Sequence, residues 1–279
     1  MFGELQSELN WRSNLFMLTG KVAVVVGAGA GIGRSVASGL AAAGAIVHCL
    51  DIDADNARST AKSIKASGGI AKGDHVDVRL SESVNSSLAA VTDEHGQLDI
   101  VICTPGINIR KPLLRYSDDD YDAVMDVNLR GSFNTMRAAG QIMVPQRTGS
   151  IVVFSSISSR VVEPGQVIYA GTKAALAQMV RVFAAELGPY GVRVNAIGPG
   201  PTATELTLPI RSDKGWHDAY ADRTAVGRWA DPAELAGPAV FLCSDAASYV
   251  NGQLLYVDGG WIDIDRRYQG GPVLDGVEP

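Results

Sequence analysis

The run Lys21-Val22-Ala23-Val24-Val25-Val26 leads directly into Gly27-Ala28-Gly29-Ala30-Gly31-Ile32-Gly33, and an Ala-rich stretch from Arg34 to Ala43 follows and stops at Gly44. β-Branched residues favour a strand. Glycines let a chain turn sharply and bring its backbone close to a ligand. A helix starting at such a turn offers unpaired N–H groups to an anion, and a pyrophosphate suits it. A second strand, Ala45-Ile46-Val47-His48-Cys49-Leu50, ends in Asp51. An acidic residue at that distance from the turn accepts the ribose hydroxyls of an adenosine dinucleotide. Its charge repels a 2′-phosphate, Ile52 follows it instead of a basic residue, and Ala30 adds no charge to the turn. Arg34 is the one nearby cation arguing otherwise. The reading favours NAD over NADP.

The same alternation continues. Strands are predicted near 21–26, 45–51, 73–78, 98–102, 148–155, 191–197 and 253–258. Helices are predicted near 31–43, 54–67, 81–94, 118–145, 166–188 and 232–244. This pattern predicts one α/β domain with a mostly parallel sheet and helices on both faces. Ser117 before Asp118, Asp119 and Asp120 reads as a helix cap with acids in the first turn, in preference to a metal site.

Ser156 ends the apolar run Ile151-Val152-Val153-Phe154-Ser155, at the carboxyl end of a predicted strand, where open α/β sheets bind ligands. Tyr169 follows after twelve intervening residues and Lys173 comes four later, so the two share a helical face. An ammonium beside a phenol favours the phenolate and can draw its pKa from about 10 towards neutrality, where Tyr serves as an acid or base. Tyr-x-x-x-Lys also occurs on solvated helices, so the pair alone does not decide.

Together these segments resemble the short-chain dehydrogenase/reductase family, from about Leu18 to Gly260. The glycine motif stands as Gly27, Gly31 and Gly33, with Ile32 inside it and Val26 where the family has Thr. Asp77-Val78 matches the pair placed against adenine. Asn128, Ser156, Tyr169 and Lys173 match the catalytic residues, with Asn128 positioning a water that links Lys173 to solvent. Pro199-Gly200 and Thr204 match the segment gripping the nicotinamide carboxamide, and Val257-Asp258-Gly259-Gly260 matches the closing motif. The resemblance implies a Rossmann-type, doubly wound, seven-stranded parallel sheet of order 3-2-1-4-5-6-7. It also implies NAD-dependent interconversion of a secondary alcohol (a polyol, sugar or other small alcohol) and its ketone, and a homotetramer. Alternatives are an NADPH-dependent carbonyl or 3-oxoacyl reductase and a non-catalytic dinucleotide-binding module. One departure stands out: Cys103-Thr104-Pro105-Gly106 replaces Asn-Asn-Ala-Gly. It keeps the glycine and loses the first Asn.

Composition excludes other classes. Net charge is −6 and the longest basic cluster is Arg266-Arg267, so nucleic acid is a poor partner. Cys49, Cys103 and Cys243 are odd in number and widely spaced, which points to free thiols and the cytoplasm. His48, His75, His95 and His217 show no ligand spacing, so no metal site is predicted. No apolar run is long enough to span a membrane, and residues 1–17, an N-terminal extension containing Glu4 and Glu8, do not resemble a signal peptide. Residues 201–227 are expected to form a substrate lid, or else a plain helical excursion with Trp216 packed inward. Residues 261–279 form a C-terminal tail, either loose or laid on a neighbouring subunit.

Overall fold

The computed structural model describes residues 14–264. The expectations for residues 1–13 and 265–279, including Arg266-Arg267, lie outside the described residues. Seven strands form one parallel sheet: β1 (Val22–Val26), β2 (Ile46–Asp51), β3 (Ile70–His75), β4 (Ile100–Cys103), β5 (Gly149–Phe154), β6 (Val192–Pro199) and β7 (Leu254–Val257). Their order is β3-β2-β1-β4-β5-β6-β7, as predicted.

Alternating side chains along each strand feed two hydrophobic layers. From β1, Ala23 and Val25 face one layer while Val22, Val24 and Val26 face the other. The first layer is completed by α1 (Gly31–Ala42), α2 (Ala54–Ala66) and α9 (Ala236–Cys243). The second is completed by α3 (Ser81–His95), α5 (Gly131–Gln146) and α6 (Val167–Leu187). Helical spacing explains the burial: Val36, Ala37, Leu40 and Ala41 line one face of α1. On α6 the buried face carries Ile168, Thr172, Lys173, Leu176, Ala177 and Val180, so a lysine sits inside a largely apolar stripe.

Three predicted elements need correction. The third strand lies at 70–75, three residues before the predicted 73–78. It is a sheet edge with Ile70 62% exposed, so its own alternation is weak, whereas the apolar Val76 and Val78 are buried just after it. The predicted 118–145 helix is α4 (Asp118–Val124), a π-helical turn at Met125–Arg130, and then α5. The predicted 232–244 helix starts as a 3₁₀ turn at Pro232–Leu235. Ser117 and Asp120 form a capping box at α4, which settles the acidic triplet as a helix start. Residues 201–227 contain two short helices, α7 (Leu208–Arg211) and α8 (Lys214–Arg223). All three cysteines are free and buried. Among the described residues no helix is long and apolar enough to cross a membrane.

Candidate active site

The carboxyl ends of the strands open onto two adjoining cavities. The first, about 460 Å³, is lined by Gly27, Gly31, Ile32, Gly33, Asp51, Asp77, Val78, Gly106 and Thr204. Gly27 adopts φ 82°, and a Cβ at Gly33 would fall 2.0 Å from the Gly27 carbonyl oxygen, so α1 can approach the turn this closely only through glycine. Asp51 closes the far side. Its Oδ2 accepts the Gly29 N–H at 2.8 Å and its Oδ1 accepts the Asp53 N–H at 3.0 Å. Arg34 is turned onto the turn itself, with Nε donating to the Gly29 carbonyl at 3.1 Å.

The departures noted in the sequence compensate one another here. Val26 brings no hydroxyl to the turn, but Thr104 Oγ1 donates to the carbonyls of Val26 at 2.8 Å and Gly27 at 3.1 Å. Cys103 lies buried with Sγ 3.6 Å from Ser132 Oγ, and burial pushes its thiol up. Asp77 is grasped by Arg79 through Nε at 2.9 Å and Nη2 at 2.6 Å, which holds its carboxyl below the usual range. Asn134 Nδ2 donates to the Val78 carbonyl at 2.9 Å, so α5 fixes this pair over the cleft.

The second cavity, about 660 Å³, contains Ser156, Tyr169, Pro199 and Gly200. Ser156 follows β5 and caps a 3₁₀ turn, its Oγ accepting the Ser158 N–H at 3.0 Å. Lys173 is 3% exposed. Its Nζ donates to the Phe154 carbonyl at 2.9 Å and stands 5.6 Å from the centre of the Tyr169 ring. Burial lowers Lys173 to about 8. Burial raises the Tyr169 phenol, while a hydrogen bond with Ser156 and the charge of Arg110 pull it back. A Cβ at Gly106 would come 3.3 Å from Lys173 Nζ, so this glycine keeps the space beside the ammonium open.

Asn128 is fully buried in the π-helical turn. Its Oδ1 accepts the Ile107 N–H at 2.8 Å, and its Nδ2 donates to the Ile107 carbonyl at 2.9 Å and to Thr172 Oγ1 at 3.3 Å. Its side chain thus clasps the strand–loop junction beside Gly106. The π-turn is a device often found at functional sites. It connects the glycine-lined cleft with α6.

Sequence reasoning placed Tyr220 only within the lid segment and missed Asn108, Arg110, Glu163 and Gln166 in this cavity. Arg110 donates from Nη1 to Glu163 Oε1 at 3.0 Å and from Nη2 to Tyr220 Oη at 3.2 Å. Tyr220 donates to Glu163 Oε2 at 2.5 Å, Gln166 Nε2 donates to the same oxygen, and Asn108 Nδ2 donates to Gln166 Oε1 at 2.7 Å. No local pattern links these five positions. In the lid, Trp216 is 51% exposed rather than packed inward; Trp229 is the buried one, its Nε1 donating to the His217 carbonyl at 3.0 Å. Trp261, at the head of the tail, lies 5.3 Å from the Tyr220 ring.

Two histidines far apart in the sequence meet in the fold. His48 Nε2 and His95 Nε2 meet at 2.8 Å, with Glu94 Oε1 3.7 Å from His95. Glu94 is already paired with Lys72, and Arg58, Lys62 and Lys65 line the same groove, so the surroundings oppose a cation. Burial and the neighbouring His95 lower His48 to about 4.

Known proteins resemble this chain over most of its length. The family model described as enoyl-(acyl carrier protein) reductase matches residues 27–262. The chain is 38% identical to a gluconate 5-dehydrogenase of Gluconobacter oxydans over 88% of this chain and 96% of that one. It is 37% identical to a D-threitol dehydrogenase of Mycolicibacterium smegmatis over 88% of this chain and 94% of that one. The structure of a gluconate 5-dehydrogenase from Burkholderia cenocepacia, solved with NADP and tartrate, superposes with a TM-score of 0.86 at 35% identity, covering 90% of this chain and 98% of that chain. With its glycine turn, parallel sheet and Ser156, Tyr169 and Lys173 in one place, the chain belongs to the short-chain dehydrogenase/reductase family, oxidoreductases acting on CH–OH groups.

Proposed function

We propose that the protein interconverts a small secondary alcohol and its ketone with NAD, using Tyr169 as acid and base. The observation that carries this is the arrangement around Tyr169: Ser156, just after β5, shares its cavity, Lys173 Nζ lies 5.6 Å from its ring one turn further along α6, and that cavity adjoins a glycine-lined cleft. That cleft fits a dinucleotide. The α1 amino terminus and glycine turn would hold the diphosphate, Asp51 the adenosine ribose, Asp77-Val78 the adenine, and Pro199 with Thr204 the nicotinamide end. When bound, the dinucleotide supplies the hydride acceptor or donor.

The chain's own residues handle the proton. Ser156 Oγ hydrogen-bonds the substrate oxygen, and its fixed dipole favours charge developing there. Tyr169 takes the hydroxyl proton in oxidation and returns it in reduction, with Lys173 beside it to stabilise the phenolate. Because burial keeps Tyr169 protonated near neutrality, it is poised as an acid at pH 7 and as a base at higher pH.

Asp51 supports NAD: its carboxylate sits where a 2′-phosphate would need a cation, and Arg34 is engaged with Gly29. The relative solved with NADP keeps the phosphorylated cofactor as the rival. The assay follows reduced nicotinamide with NAD and NADP side by side over a panel of polyols and secondary alcohols. Tyr169→Phe removes the acid and keeps the ring, so turnover should fall at least ~100-fold with dinucleotide affinity retained. Near-normal turnover would overturn the role. A homotetramer built on α4, α5 and α6 belongs to the same reading, since Tyr121, Phe133 and Val182 expose apolar surface there. Sedimentation equilibrium at four times the 29.3 kDa chain mass is the expected result.

A further inference from the structure

We infer that Glu163 makes the substrate pocket a site for uncharged polyhydroxylated alcohols and turns away sugar acids. This rests on the proposed reading of the pocket and goes further, to the charge of the substrate.

Three charged side chains line the pocket: Arg110, Glu163 and Arg223. An unoccupied arginine fork is a ready clamp for a carboxylate, through two parallel N–H donors. Here the fork is already filled from within the chain. Arg110 Nη1 reaches Glu163 Oε1 at 3.0 Å and Nη2 reaches the Tyr220 hydroxyl at 3.2 Å. Glu163 is held in turn by Tyr220 at 2.5 Å and by Gln166. A substrate carboxylate entering this strip has to displace Glu163 and then lie beside it, like charge against like charge in a half-buried wall. Arg223 offers no substitute. It is exposed, its guanidinium 5.2 Å over the Trp261 ring, and water screens it.

The polar demand of the strip has the opposite character. Asn108 Oδ1 is a buried acceptor without a partner, and Glu163 is acceptor-only. Both call for donors. A polyol brings an O–H at every carbon, whereas an aldonate end brings only acceptors. Trp216 and Trp229 add apolar wall against which a carbon chain can lie. Relatives named for gluconate take their names from an acid, whereas the filled Arg110 fork assigns this pocket the uncharged class.

The test pairs xylitol with xylonate, and ribitol with ribonate, which match in carbon number and differ in charge. The wild-type enzyme is expected to show kcat/KM at least ~10-fold higher for the polyol. Glu163→Gln should cut that ratio at least ~10-fold, chiefly by lowering KM for the aldonate, because Arg110 is released. Glu163→Asp, which keeps the charge, should keep the preference. Thermal melting and dinucleotide Kd verify that the variants fold. Where turnover is too slow to read, calorimetric binding of each pair to the dinucleotide complex gives the same ratio. Wild-type preference for the aldonate, or a ratio unmoved by Glu163→Gln, overturns the inference. The proposed function fails separately, when oxidation of any member persists in Tyr169→Phe.

Discussion

Replacing Asn128 by Ala removes the clasp on Ile107, and its cost can be worked from the structure. Two bonds of 2.8 and 2.9 Å join the side-chain amide to the Ile107 backbone, and a longer one reaches Thr172 at 3.3 Å. Each good bond contributes about 1 kcal/mol net, and a buried group left without a partner costs a further ~1–3 kcal/mol. Ile107 is only half-buried, so water can reach its freed N–H and C=O, which favours the lower end. The expected loss is about 2–4 kcal/mol, or a Tm lower by roughly 5–15 °C for a domain of this size. Activity should fall further than stability at the assay temperature explains, because Gly106 and Lys173 Nζ meet beside this clasp. Asn128→Asp is the control. It keeps an acceptor for the Ile107 N–H but sets an acceptor against the Ile107 carbonyl, so it should be at least as damaging. Thermal melts and single-substrate kinetics on folded protein decide the matter. A Tm within 1 °C of wild type with unchanged kcat would show that the π-turn holds the loop without this side chain.

Two other substitutions probe separate parts of the site. Burial holds Tyr169 high while Ser156 and Arg110 lower it, so removing the Arg110 charge raises the phenol further. Oxidation uses the deprotonated phenol; Arg110→Met should therefore move the acidic limb of its pH–rate profile to higher pH, and a limb that stays in place or moves down contradicts the assignment. Gly33→Ala would press a Cβ against the Gly27 carbonyl at 2.0 Å and Thr104 Oγ1 at 2.7 Å. Overpacking of this kind costs about 1–3 kcal/mol, enough to weaken dinucleotide binding ~10-fold, and calorimetry with NAD and NADP measures it.

The fold was legible wherever an element carried its own period. Strands β1 and β2 and helix α1 are buried through regular spacing and lie within a residue or two of their predicted bounds. The third strand was misplaced because the cue points elsewhere. Ile70 is exposed at a sheet edge, and the apolar residues that look like a strand, Val76 and Val78, leave the sheet to line the dinucleotide cleft. The π-turn was invisible for a related reason. Met125–Arg130 has unremarkable helical composition, and the wider turn answers to tertiary partners: Ile107 on the Asn128 side chain, and Val78, which a Cβ at Gly131 would meet at 2.6 Å.

In the site, legibility divided by how the chemistry is encoded. Tyr169 and Lys173 are one helical turn apart, and Gly27 to Gly33 form one continuous turn, so spacing alone proposes what each group does. Arg110, Glu163 and Tyr220 come from three separate segments, the loop after β4, the loop before α6 and the lid helix α8, and no periodicity relates 110 to 163 to 220. A reading by segments takes each of these loops by itself. It has no means of pairing an arginine with a glutamate 53 positions away. Yet this pairing sets the net charge that a substrate meets. Reaction type and substrate charge are therefore recorded at different ranges in this chain: the first within single turns of backbone, the second only where the folded lid closes over the β4 and β5 loops.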